Sequence, residues 1–307
     1  MSRYRNLVLF LVLAAVWGTA FVAISAGLEY FPPVLYAALR YDIAGILMLA
    51  YAAYVLDDVV PRGREQWLLV TIGSVLLIAA YHAFLFIGQQ HTTAAAAAIV
   101  VSLSPVLTTG FARLLVPSDA LSPVGLVGVA IGLVGVAVIA QPDPNDLLAT
   151  NAVAIALVFF AAASFALGSV LTRRLDAEMP IESMEAWSML GGAALMHLLS
   201  LALREPIEPR SWLQAEALGA LAYLALVSSA LGFLLYFVLL ERLGPVEINM
   251  VSYVAPIFAA VFGWLYLGEV IDGTTVFGFA LIAVGFVLVK RRALREEFGH
   301  LQALAGR

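Results

Sequence analysis

Apolar runs of about twenty residues recur from one end of this chain to the other, at 7–28, 33–55, 67–89, 92–115, 121–140, 151–172, 183–203, 217–240, 246–268 and 274–290. A helix needs roughly 20 apolar residues to cross the hydrocarbon of a bilayer. The runs use most of the 307 residues, so the remainder makes short loops and tails rather than a second folded domain. Composition agrees. Hydrophobic residues are 63% of the chain and charged residues 12%, against about 25% charged in an ordinary soluble domain. A soluble enzyme, a disordered chain and a fibrous protein are excluded. The expectation is an all-α integral membrane protein with ten transmembrane helices. The first run exceeds the roughly 7–15 residues of a signal-peptide core and reads as a retained helix.

The breaks carry turn chemistry. Pro32-Pro33, Pro61-Arg62-Gly63, the proline-rich stretch from Gln141 to Asp146, Pro206 with Pro209, and Gly244-Pro245 each separate two runs. Gln89-Gln90-His91-Thr92-Thr93 is the weakest break. Without a turn there, 67–115 would be one helix of about 73 Å at 1.5 Å per residue, too long for a bilayer. Basic residues near helix ends set the orientation. With the N-terminus cytoplasmic, inner segments hold Arg3, Arg5, Arg62, Arg64, Arg113, Arg173, Arg174, Arg242, Lys290, Arg291, Arg292, Arg295 and Arg307. Outer segments hold only Arg204 and Arg210, with Arg40 inside the membrane. Both termini are therefore expected in the cytoplasm of a cell whose inner membrane holds the protein.

The two halves repeat. Pro105 and Pro256 each lie within the fourth run of a set of five. Asp119 is followed nine residues on by Gly128 and seven further by Gly135; Glu269 is followed at the same intervals by Gly278 and Gly285. Five helices per half is odd, so the second copy must enter from the opposite side. The expected organisation is two inverted-topology repeats, 1–142 and 150–292, with a cytoplasmic tail at 293–307. Repeats of this kind place a binding site near the midplane between halves, opened alternately by rocking. The glycines themselves suit close backbone packing in lipid, within the chain or at a dimer seam.

These residues resemble the ten-helix EamA-type members of the drug/metabolite transporter superfamily. The matching stretches are Ala15-Val16-Trp17-Gly18-Thr19-Ala20-Phe21, Ala38-Leu39-Arg40, Ser102-Leu103-Ser104-Pro105-Val106, Tyr253-Val254-Ala255-Pro256-Ile257-Phe258 and Tyr266-Leu267-Gly268-Glu269. The resemblance covers about 7–292 and implies an inner-membrane carrier or exporter of amino acids or other small metabolites. It departs in two places. Pro117-Ser118-Asp119 stands where the second repeat has Leu267-Gly268-Glu269, and Phe165 stands where the first helix has Trp17.

Ionisable groups in hydrocarbon are costly, about 2.5 kcal/mol or more at the centre, so each is a candidate for function. Arg40, seven residues past Pro33, lies roughly 10 Å inside the membrane. It either binds a substrate carboxylate or hydrogen-bonds helix-end carbonyls and snorkels outward. Asp42, turned about 200° from it, is a candidate for proton coupling or a packing network. His82 lies at a similar depth and suits a proton relay or helix packing. His197 lacks comparable neighbours and reads as structural. Pro105 and Pro256 each cost a backbone hydrogen bond and are expected to hinge their helices and shape a cavity. Ser102, Ser104, Ser252 and Tyr253 either bind substrate or satisfy that backbone. Trp17 and Thr19 wall a pocket or pack, and Tyr81, Ser228, Ser229 and Tyr236 are further binding candidates. Glu185, Glu247 and Asn249 read as solvated residues at inner helix starts.

The leading function is a secondary-active or facilitative carrier, with export expected, its partners a small solute, the bilayer and protons. No phosphate-cradling loop is present. No histidine pair has metal-ligand spacing, and no cofactor is implied. A net charge of −5 offers no basic face for nucleic acid. The oligomeric state is monomer or homodimer. Two other classes stay open. An intramembrane serine-type hydrolase would rest on Ser169 and His197, whose depths differ by more than a hydrogen bond. A passive channel wants rings of polar residues, which isolated Ser, Pro and Tyr do not supply.

Overall fold

The computed structural model describes residues 2–115, 123–141, 149–175, 177–243, 248 and 250–305. Asp119, the stretch 142–148, Gly244-Pro245, Glu247 and Asn249 lie outside the described residues. Every regular element among those described is helical. They are α1 (Ser2–Gly27), α2 (Pro33–Val55), α3 (Gly63–Ile72, a π-helical stretch Gly73–Ala80, then Tyr81–Gln89) and α4 (Ala94–Val101, then Ser104–Leu115). After these come α5 (Pro123–Ala140), α6 (Thr150–Arg174), α7 (Ile181–Leu203), α8 (Ala215–Ala222, a π-helical stretch Tyr223–Leu231, then Gly232–Leu243), α9 (Val251–Leu267) and α10 (Gly273–Ala305). A single turn, Pro209–Trp212, precedes α8. Among the described residues, seven helices are long and apolar enough to cross a membrane. The apolar parts of the other three, Val124–Ala140, Val251–Leu267 and Gly273–Val289, are shorter.

Helix ends follow local chemistry. Pro33 opens α2, where the missing N–H would have had no partner within the helix. The turn demanded at 89–93 is present, and Thr93 caps α4 by accepting the Ala96 N–H at 3.1 Å. Asp272 caps α10 through the Thr275 N–H at 2.6 Å. That bond holds its carboxyl below the usual range. Arg204 ends α7 in the left-handed region at φ 56.

The repeat-marking glycines form a seam inside the chain. A Cβ on Gly128 would lie 2.6 Å from the Gly285 carbonyl, and one on Gly285 would lie 2.6 Å from that of Gly128. Gly135 and Gly278 face each other in the same way, at 2.7 and 2.8 Å. With 128 against 285 and 135 against 278, α5 and α10 run antiparallel, backbone on backbone. Elsewhere α1 packs on α9, where a Cβ on Gly18 would meet the Ala255 carbonyl. α2 packs along α7, α3 lies against α6 and α7, and α4 lies against α6 and α9. Tyr36, Tyr41, Phe86, Met48, Met189 and Met196 fill the centre and are fully buried.

The two prolines behave differently. Pro105 sits in the first turn after α4 is interrupted at Ser102 and Leu103, whereas Pro256 lies inside the continuous α9. Pro105 has no N–H for the Val101 carbonyl, and the Ser104 hydroxyl donates to that carbonyl instead, at 2.7 Å. α3 and α8 hold their π stretches 150 residues apart, the spacing of the glycine repeat. Such stretches loosen the backbone ladder and recur at functional sites.

Candidate functional site

The site forms around Arg40. This side chain is 6% exposed. Its Nε donates to Ser229 Oγ at 2.9 Å and its Nη2 to Ser228 Oγ at 3.3 Å. Both serines are buried in the π stretch of α8, so the widened turn of one helix presents two adjacent hydroxyls to a guanidinium on another. The cation also stands 5.0 Å from the centre of the Tyr41 ring, within cation–π range. Among the described residues no carboxylate pairs with Arg40. Its charge is met by hydroxyls and a ring face.

Further residues extend this group. Tyr41 Oη lies 2.7 Å from His82 Nε2, and His82 Nδ1 lies 2.8 Å from the Ile78 carbonyl. A carbonyl only accepts, so in the neutral ring Nδ1 carries the proton and Nε2 accepts from Tyr41. Tyr81 packs edge-on to His82 and against Phe165. From α1, Trp17 Nε1 donates to the Ser228 carbonyl at 3.3 Å, and its ring packs at a tilt against Tyr236, 5.5 Å between centroids. Thr19 shares a hydrogen bond of 2.5 Å with Tyr223 and donates to the Ala15 carbonyl. Trp17, Thr19, Tyr81, Tyr223 and Tyr236 are partly exposed, while Arg40, Tyr41, His82, Ser228 and Ser229 are buried. Partly exposed aromatic and hydroxyl side chains thus surround a buried cation.

Eight residues singled out from sequence as binding candidates, Trp17, Thr19, Arg40, Tyr81, His82, Ser228, Ser229 and Tyr236, meet in this one group. Ser102, Ser104 and Tyr253 do not join it. Ser102 donates to the Ile99 carbonyl and Ser104 to that of Val101, both repairing the interrupted α4. Tyr253 is buried against Phe286 at 4.3 Å, its hydroxyl without a partner among the described residues. Asp42 turns away from Arg40 as expected, but it is bonded to His197 at 2.7 Å, with both side chains over a third exposed. His197, read as lacking neighbours, therefore has one from a helix 155 positions away. Sequence reasoning missed Tyr41 and Tyr223, ordinary helix tyrosines until their hydroxyls are placed.

It also missed a set of polar caps at the helix ends. Glu205 accepts the Val34 and Leu35 N–H groups, both at 2.9 Å. Glu269 accepts the Ala94 N–H with both oxygens, at 3.1 and 3.0 Å. Burial pushes the Glu269 carboxyl above its ordinary range, against the pull of the Ala94 and Ala95 N–H groups. The Gln89 amide donates to Ser25 Oγ at 2.8 Å and to the Phe21 carbonyl. Two cavities open near these ends. One of about 330 Å³ is lined by His91, Thr93, Gln141, Asp272 and Thr275, and another of about 290 Å³ by Glu29, Gln90, Glu205 and Trp212. No residue of the Arg40 group lines either. No described cluster of His, Asp or Glu could hold a metal.

The chain matches the EamA-like transporter family over residues 5–141 and again over 152–291. It is 28% identical over 295 residues to Uncharacterized inner membrane transporter YedA of Escherichia coli K12, covering 92% of this chain and 93% of that one. It is 24% identical over 297 residues to Uncharacterized transporter YvbV of Bacillus subtilis, covering 97% and 95%. WAT1-related protein At3g02690, chloroplastic, of Arabidopsis thaliana is 25% identical over 279 residues, 89% of this chain, which spans 66% of the plant protein. A solved crystal structure shares the fold, with a TM-score of 0.65 at 24% identity over 96% of this chain and 99% of that one.

Proposed function

The chain belongs to the EamA-like transporter family, and on that premise we propose that this multi-pass membrane protein is a secondary-active or facilitative carrier of small metabolites such as amino acids. It spans the membrane ten times as two inverted five-helix halves, with both termini in the cytoplasm, and exports its solute across the inner membrane by alternating access. The double family match, one per half, supports the repeat. The antiparallel register of Gly128 with Gly285 and Gly135 with Gly278 supports the inversion. In a bilayer, irregular backbone is tolerated only where protein buries it or it lines a wet cavity, and the π stretch of α8 buries Ser228 and Ser229 against Arg40.

The observation that carries the proposal is Arg40, a cation at membrane depth held by hydroxyls and without a carboxylate partner among the described residues. A solute carboxylate supplies the missing anion. The partly exposed faces of Trp17, Tyr81, Tyr223 and Tyr236 cover its apolar part. The Tyr41–His82 pair offers a route for a proton to the edge of the site, and Asp42 with His197 forms a second acid–imidazole contact, between α2 and α7. The test is uptake by purified protein in liposomes, using a panel of radiolabelled amino acids and metabolites with and without a pH gradient. Saturable uptake with counterflow is expected, and Arg40→Ala abolishes both while the protein still inserts. Undiminished flux through Arg40→Ala removes Arg40 from the site. Uptake without counterflow marks a channel.

A further inference from the structure

The turn from α9 to α10 aims one carboxylate across the molecule. Gly268 ends α9 in the left-handed region at φ 67, and the reversal brings the Glu269 N–H to the Gly263 carbonyl at 3.2 Å. The side chain then lies over Gly263, where a Cβ would come within 2.7 Å of Glu269 Oε2. In that pose both carboxylate oxygens reach the Ala94 N–H at the start of α4. A helix start has free N–H groups and favours negative charge, and Thr93 satisfies only the Ala96 N–H there. The bond joins α4 in the first family match to a turn in the second.

Glu205 makes a bond of the same kind between halves, to Val34 and Leu35 of α2. Those helices are also joined at their opposite end. The Val59 carbonyl, just past α2, accepts from Ser183 Oγ at 2.6 Å and from Trp187 Nε1 at 2.8 Å, both on α7. α2 and α7 are thus tied at both ends. The Glu269 bond instead joins the start of α4 to the turn between α9 and α10.

We propose that Glu269 is the outer latch of the transport cycle. It holds α4 of the first half to the α9–α10 turn of the second while the Arg40 group faces the cytoplasm, and it lets go when the outer end opens. The latch rests on the alternating-access reading above. It acts by positioning helices and touches no solute.

The chain has no cysteine, so a single introduced thiol reports on access without knowledge of the solute. Thr19→Cys, about 12 Å from the Gly27 end of α1, is labelled with a membrane-impermeant maleimide in right-side-out and in inverted vesicles. Removing a hydrogen bond to a charged group shifts a two-state balance by about tenfold. Glu269→Ala should therefore raise the outside labelling rate relative to the inside rate by about that factor, with the inside rate falling. Glu269→Gln, which keeps an acceptor oxygen and loses the charge, should fall between. Glu205→Ala removes two equivalent bonds and should leave the ratio of rates unchanged. An unchanged ratio in Glu269→Ala, a rise from both sides, or an equal shift in Glu205→Ala overturns the latch alone. A reporter reached from one side only in every variant overturns alternating access and the latch with it. Size-exclusion profiles in detergent establish which variants are folded; if Glu269→Ala is not, Glu269→Gln decides the outcome.

Discussion

Arg40 could be singled out from the chain because a cation seven residues inside an apolar run has few ordinary explanations. Its surroundings could not. Ser228 and Ser229 lie nearly two hundred positions away, and only the π stretch of α8 turns both hydroxyls toward the guanidinium. The bond from Nε to Ser229 fixes the plane of the guanidinium, and a hydrogen bond to a charged group contributes about 1.5–3 kcal/mol. Ser229→Ala should accordingly raise the half-saturating solute concentration about tenfold with little change in maximal flux, which the liposome assay reads directly. Equal loss of both would assign Ser229 to the fold instead. Ser102 and Ser104 show the opposite outcome. They stand in a stretch that resembles the family and beside a proline, yet each hydroxyl turns back on its own helix. A serine's type and spacing do not reveal which carbonyl lies closest to its hydroxyl.

Among the elements, α5 and α10 show pattern translating directly into packing. Gly128, Gly135, Gly278 and Gly285 marked the repeat, and the same four bring two backbones into contact. Small residues are what helices in lipid use to approach closely. A side chain on Gly285 would meet the Gly128 carbonyl and the Gly132 N atom at 2.6 and 3.0 Å, and backbone atoms cannot rotate away. Gly285→Val should cost about 1–3 kcal/mol or more from overpacking and lower the thermal midpoint of detergent-purified protein. Gly110→Ala, where a Cβ meets nothing within 4 Å, should not. Equal midpoints for the two variants would mean that the seam is not tight. The π stretches of α3 and α8 were not legible. Their residues are as apolar as their flanks, and a shift from one hydrogen-bond register to the next leaves no mark on composition.

For the whole molecule, charge asymmetry at the helix ends predicts that both termini face the cytoplasm. Reporter fusions that are active on one side of the membrane only should give the same side at Met1 and Arg307. Opposite sides would make the number of crossings odd and remove the inverted repeat. Sequence alone determined that this chain lives in a bilayer, because the free energy of placing side chains in hydrocarbon adds up locally, residue by residue. It also determined where the helices break, for prolines and capping residues act on their own neighbours. Tertiary structure decided which polar groups meet. Arg40 with Ser229, His197 with Asp42, and Glu269 with Ala94 are joined across 189, 155 and 175 positions. Contacts of that span depend on how helices stack and rotate against one another, and no local property of the chain records it.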